Sequence, residues 1–100
     1  MKYILALDQS TSATKAVLFD ESGHAVDKSS RDHRQIYPQP GWVEHNAEEI
    51  WQNVLSVLGE VIRNQSTKVP DIVGLSITNQ RETFVVFDRA TGQPRANAIV

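Results

Sequence analysis

The sequence predicts an α/β domain in which one helix crosses between strands of a mixed sheet, and three features of the chain predict it. Residues 3–7 (YILAL) form an unbroken apolar run, as a strand buried on both faces requires. A long apolar stripe at three- and four-residue spacings comes after a capping signal at Asn46. A second β-type run, residues 71–78 (DIVGLSIT), resumes after Pro70.

Taken in order, residues 3–7 are the central strand and residues 15–20 (KAVLFD) its neighbour, which ends in a turn at Glu21, Ser22 and Gly23. Residues 24–31 alternate only weakly, with Ala25 and Val26 the sole apolar pair, and read as a third strand nearer the sheet edge. Pro38, Pro40 and Gly41 punctuate a loop. Asn46 then caps a helix, and Glu49 three residues on completes a capping box. Ile50, Trp51, Val54, Leu55, Leu58, Val61 and Ile62 form its sheet-facing stripe, with Gly59 marking close packing at a cost of about 1 kcal/mol relative to alanine. Residues 83–88 (TFVVFD) are expected to pair back as another strand, closed by a turn at 89–92. DQ with VLFDESG after it is echoed by NQ with VVFDRATG after it, which two hairpins of like turn chemistry would produce as readily as duplication.

Composition narrows the function classes. One hundred residues make one modest domain that buries about two thirds of its unfolded surface. With 40% hydrophobic and 22% charged residues and a net charge of −2, nothing is basic enough for a nucleic-acid surface. The chain has no cysteine, which excludes disulfides and thiolate metal sites. No apolar segment approaches the length of a secretory h-region or a membrane helix, so no membrane partner is expected and the cytoplasm is the default compartment.

The element order places two polar loops together. A helix crossover lays the next strand parallel to a neighbour; if that neighbour is strand 3–7, residues 8–14 (DQSTSAT) and 79–82 (NQRE) leave the same carboxyl edge, where open sheets bind ligands. A turn rich in small hydroxyl residues can aim backbone N–H groups at one anion, with Thr11, Ser12 and Thr14 adding donors, Lys15 adding charge and Asp8 able to hold Mg²⁺. Equally, Asp8, Ser10 and Thr11 could bond their own backbone in an ordinary hairpin. Asn79, Gln80, Arg81 and Glu82 offer the mixed donors and acceptors that vicinal hydroxyls need, or a solvated hairpin with an Arg–Glu surface contact. Arg81 and Glu82 would point to opposite faces if both lay in regular strand. His24, His33 and His45 are too irregularly spaced for a metal helix and are assigned to surface or loop roles. In GWVEHN, residues 41–46, Trp42 is expected to cover the sheet. There is no GxxxxGK[ST] and no GxGxxG.

These residues carry a resemblance. YILALDQSTSATK, QIYPQPGWVEH and GLSITNQRET, with TGQP and NAIV after them, resemble in order the amino-terminal segment of the glycerol kinases, within the FGGY carbohydrate kinases of the actin, Hsp70 and hexokinase superfamily. The resemblance implies a ribonuclease H-like fold and transfer of the ATP γ-phosphoryl group to a terminal hydroxyl of glycerol, giving sn-glycerol 3-phosphate. It implies that Thr11, Ser12 and Ala13 face the nucleotide phosphates, that Lys15 takes the basic position, that Asp8 lies near Mg²⁺ and that Arg81 and Glu82 hold the polyol. The chain departs from the family pattern at Lys15 and Ala13, where arginine and a hydroxyl residue are more usual. It departs also at Ser10, where a glycine is usual and a strained or shifted backbone is therefore expected. The resemblance further implies that residues 1–100 are the amino-terminal part of domain I of a longer homo-oligomeric kinase. The second domain and the catalytic base would lie outside this segment, leaving it inactive alone. Another FGGY polyol or sugar kinase, or a non-catalytic phosphate- or ligand-binding module, is the alternative.

Overall fold

A computed structural model describes all of residues 1–100. Strands β1 (Tyr3–Gln9), β2 (Ala13–Asp20) and β3 (Ala25–Asp32) form an antiparallel meander. A short strand β4 (Glu44–His45), the helix α1 (Ala47–Asn64) and a 3-10 turn (Ser66–Asp71) then carry the chain to β5 (Ile72–Thr78), which lies parallel to β1. The sheet order is therefore β3-β2-β1-β5, the mixed sheet with helix crossover that the sequence predicts. Apart from that sheet, β4 pairs antiparallel with a short last strand, β6 (Ala98–Ile99).

The alternation of β1 and β2 decides which face is buried. Tyr3, Leu5 and Leu7 of β1 and Ala16 and Leu18 of β2 meet Val54, Val57 and Val61 of α1 in one core. In the antiparallel register Leu7 faces Ala16 and Leu5 faces Leu18, so their alternate neighbours, including the cross-strand pair Asp8 and Lys15, occupy the opposite, open face. The helix packs chiefly on β2 and β3, so its buried stripe is narrower than the periodicity predicts. Trp51, Leu55 and Ile62 are exposed, while Val57, absent from the predicted stripe, is fully buried. Leu75 and Ile77 share the helix face through their pairing with Leu5 and Leu7, yet stay exposed because α1 packs chiefly on β2 and β3.

The helix begins as its cap dictates. Asn46 has extended backbone, and its side chain accepts from the N–H groups of Glu48 (2.9 Å) and Glu49 (3.3 Å). The reciprocal half of the capping box does not form: Glu49 Oε1 instead accepts from the N–H of Arg34 at 3.0 Å, pinning the loop after β3 to the helix start. Gly59 does not mark close packing between elements, since an added Cβ would meet only the flexible Arg63 guanidinium, at 3.1 Å.

The expected strand at 83–88 does not join the sheet. Thr83 Oγ1 donates to Gln80 Oε1 at 2.9 Å and Gln80 Nε2 donates to Gln9 Oε1 at 3.2 Å, so the chain is anchored across the end of β1 and leaves β5. Phe84 then makes a single bridge to Ile99, and Phe87 one to Pro94. The internal echo is one of turn chemistry. Asp20 Oδ1 accepts from the N–H groups of Ser22 and His24, which flank Gly23 (φ 83°), while Asp88 Oδ1 accepts from those of Ala90 and Thr91 ahead of Gly92 (φ 75°). Trp42, expected over the sheet, is exposed. Stability tracks the core and the cap: Leu18→Ala is expected to cost about 3 kcal/mol and Asn46→Ala about 1 kcal/mol, read as shifts of the urea midpoint at constant slope.

Candidate functional site

The parallel pairing of β1 with β5 sets Asp8 beside Thr78, so both polar loops start from one sheet edge. They line a single open cavity of about 650 Å³ with Asp8, Ser10, Thr11, Asn79, Gln80, Arg81, Glu82 and Thr83 on its walls and Val100 as its one apolar contributor. A polar wall of this kind suits a hydrated, charged or hydroxylated ligand and not an apolar one.

The β1–β2 loop is held by its carbonyls. Ser10 O lies 3.0 Å from His33 Nε2, Thr11 O accepts from Gln35 Nε2 at 3.1 Å, and Ser12 O accepts from the N–H of His33 at 3.2 Å. Because every peptide is trans and planar, a carbonyl drawn towards residues 33–35 turns the next N–H the opposite way. The N–H groups of Thr11 and Ser12 therefore face away from that segment, and neither is bonded within the chain. Two free donors on adjacent residues make the rudiment of an anion nest. Ser10 closes the turn, its N–H and Oγ both donating to Ala13 O at 2.9 Å. It carries no left-handed backbone, so the strain expected where a glycine is usual is absent.

The other candidates are distributed unevenly. The carboxylate of Asp8 and the side chains of Arg81 and Glu82 make no hydrogen bond or ion pair within the chain. Arg81 and Glu82 stand in the turn after β5, outside regular strand, so both face one cavity. Ser12, Ala13 and Lys15 do not line it. The side chains of Ser12 and Lys15 are exposed and free of partners, whereas Ala13 is buried and its N–H points to Ser10 Oγ at 3.4 Å. Thr14 contributes nothing to the loop: it is fully buried and its hydroxyl has no partner.

Spacing alone does not show that two of the histidines are buried. His24 is exposed, but His33 and His45 are buried side by side, ring centroids 5.1 Å apart at 61°. His45 Nε2 lies 2.8 Å from Gln35 Oε1 and its Nδ1 3.4 Å from Gln80 Nε2. Burial holds the His45 pKa below its ordinary value, helped by repulsion from His33 and opposed by Glu49. The period-two pattern of WVEH, apolar at Trp42 and interrupted at Glu44, carries no signal for this network. Only the run of amide and imidazole residues at 33, 35, 45 and 80 hints at it.

The profile of the FGGY family of carbohydrate kinases, N-terminal domain, matches residues 3–100. The chain belongs to the FGGY carbohydrate kinases. It is similar to glycerol kinase 2 of Thermotoga maritima, 50% identical over 100 residues and covering 100% of this chain and 20% of that relative. It is similar also to glycerol kinase of Brevibacillus brevis, 52% identical over 99 residues and covering 99% and 20%. The solved structure of Plasmodium falciparum glycerol kinase with ADP superposes with a TM-score of 0.87 at 39% identity, over 100% of this chain and 20% of that one. Ligand-bound xylulose kinase from Lactobacillus acidophilus gives 0.87 at 26%, over the same shares. This FGGY chain thus spans about one fifth of the length of the relatives it matches. Its fold is the actin- and hexokinase-like α/β fold of those kinases. No helix is long and apolar enough to cross a membrane.

The His45 shift has a sign that can be tested. A depressed folded pKa contributes stability that is present above the unfolded value of 6.5 and is lost as pH falls through the folded value. Acidification below 6.5 is expected to lower the urea midpoint of the wild type more than that of His45→Gln, which has no imidazole to protonate.

Proposed function

We propose that this chain is the amino-terminal part of domain I of an ATP-dependent kinase that transfers the γ-phosphoryl group to a terminal hydroxyl of glycerol, giving sn-glycerol 3-phosphate. One observation carries the reading: a polar cavity joins Thr11, whose N–H is a free donor beside that of Ser12, to a turn whose Arg81 and Glu82 have no internal partners. The roughly 50% identity to proteins named glycerol kinase supports glycerol over other polyols.

In this reading the N–H groups of Thr11 and Ser12, with their hydroxyls, bind the transferring phosphate, and Ala13 closes the loop behind them. Lys15 supplies positive charge from the exposed face it shares with Asp8. Arg81 donates to the polyol and the Glu82 carboxylate accepts from it, which fits a hydroxyl's dual capacity and disfavours analogues lacking one. Asp8 suits Mg²⁺, an ion that keeps most of its waters and takes one or two carboxylates plus phosphate oxygens. Held by Asp8, the ion would neutralise phosphate charge.

During transfer the polyol oxygen bonds to the γ-phosphorus as the bond to the bridging oxygen of ADP breaks, and the hydroxyl proton leaves to a base. This chain holds the reactants and its residues are not assigned that base, so residues 1–100 alone are expected not to turn over. In the full-length protein, Arg81→Ala is expected to raise the KM for glycerol about 10- to 100-fold, the worth of a charge-assisted hydrogen bond. The KM for ATP should move little, as read by ADP release. An unchanged glycerol KM would remove Arg81 from the site.

A further inference from the structure

Beneath the two loops lies a chain of polar groups in which every donor points the same way. Gln9 Nε2 donates to Ser10 O at 2.9 Å, so Gln9 Oε1 accepts from Gln80 Nε2; this orients the Gln80 amide, with its Oε1 accepting from Thr83 Oγ1 and its Nε2 also facing His45 Nδ1. On the far side of the ring, Gln35 Nε2 donates to Thr11 O and to His33 O (3.4 Å), leaving Gln35 Oε1 to face His45 Nε2 at 2.8 Å. An amide NH₂ only donates and an amide oxygen only accepts. The imidazole between them must therefore accept at Nδ1 and donate at Nε2, which only the neutral Nε2–H tautomer can do.

We infer that His45 is a positioning residue: as the neutral Nε2–H tautomer it joins Gln80 to Gln35 and so sets the spacing between the turn at 79–83 and the loop at 10–12. Its complete burial makes the tautomer consequential, because a ring turned or protonated the wrong way would set a buried ring N–H against the amide N–H of half-buried Gln80. His33 reinforces the arrangement, holding Ser10 O through its ring and Ser12 O through its backbone. The charged or titratable groups that bear on His45 are His33 and Glu49.

The functional consequence rests on the kinase reading above, since the two loops then hold the two reactants. Phosphoryl transfer needs their reacting atoms in near-attack geometry, where a displacement of about 1 Å costs roughly 100-fold. His45 contacts neither reactant in this reading, yet governs both.

The test uses the full-length protein in two measurements. Histidine-selective ¹⁵N NMR of the wild type reads the ring directly; a neutral Nε2–H state at pH 7.5 is expected, and a protonated or Nδ1–H ring would overturn the inference. Kinetics of His45→Phe and His45→Gln read the coupling. The phenylalanine variant is expected to lose about 10-fold or more in kcat/KM for both polyol and ATP, and the glutamine variant, whose amide keeps one donor and one acceptor, to recover most of it. Loss confined to one substrate, or no loss, would overturn the coupling. If His45→Phe fails to fold, the glutamine variant and the wild-type tautomer decide. Absence of ATP-dependent transfer by the wild type would instead sink the kinase reading, while the NMR result still accepts or rejects the relay.

Discussion

Everything at the candidate site depends on β1 and β5 running parallel in adjacent positions. An antiparallel partner would have sent one polar loop to each end of the sheet. Parallel pairing requires a crossover, and α1 is that crossover, so the helix matters to the site through topology more than through contact. Its own packing is on β2 and β3, where Val54, Val57 and Val61 close the core against Leu18 and Ala16.

That constraint shapes the local chemistry in two layers. The outer layer is backbone: three loop carbonyls are drawn towards residues 33–35, and planar trans peptides present the intervening N–H groups on the other side. The inner layer is a row of side chains, buried His45 between half-buried Gln35 and Gln80, that links this loop to the turn after β5. Buried polar groups of this kind must be satisfied to be tolerated, and satisfaction here imposes one geometry. The remaining apolar surface lies elsewhere. Leu75, Ile77, Phe84 and Phe87 are exposed, and the radius of gyration of 15.5 Å exceeds the roughly 13 Å of a compact domain this size.

Much of this is legible in the residues. The apolar runs at 3–7, 15–20 and 71–78 and the spacing of Val54, Leu58 and Val61 specify β1, β2, β5 and α1, because burial imposes periodicity directly on sequence. The helix crossover then brings DQSTS and NQRE to one edge. The failures share a cause. TFVVF looks like a strand, and only the anchoring of Gln80 by a residue 71 positions away diverts it. Glu49 looks like the second half of a capping box, but Arg34 offers it a better-placed N–H. His33 and His45 look like surface residues because their partners come from three separate segments. In each case a long-range hydrogen bond overrides a local pattern, and local patterns are all that spacing can express.

The central claim is that one sheet edge presents a phosphate-binding loop beside a polyol-binding turn. Titrating the ¹⁵N-labelled full-length protein with a non-hydrolysable ATP analogue and Mg²⁺ tests it most directly, by tracking the backbone amides of Thr11 and Ser12. The account predicts large downfield proton shifts at those two amides, as free donors acquire phosphate acceptors, with Arg81 and Glu82 responding to subsequent glycerol. Unmoved Thr11 and Ser12 amides under saturating nucleotide would contradict it.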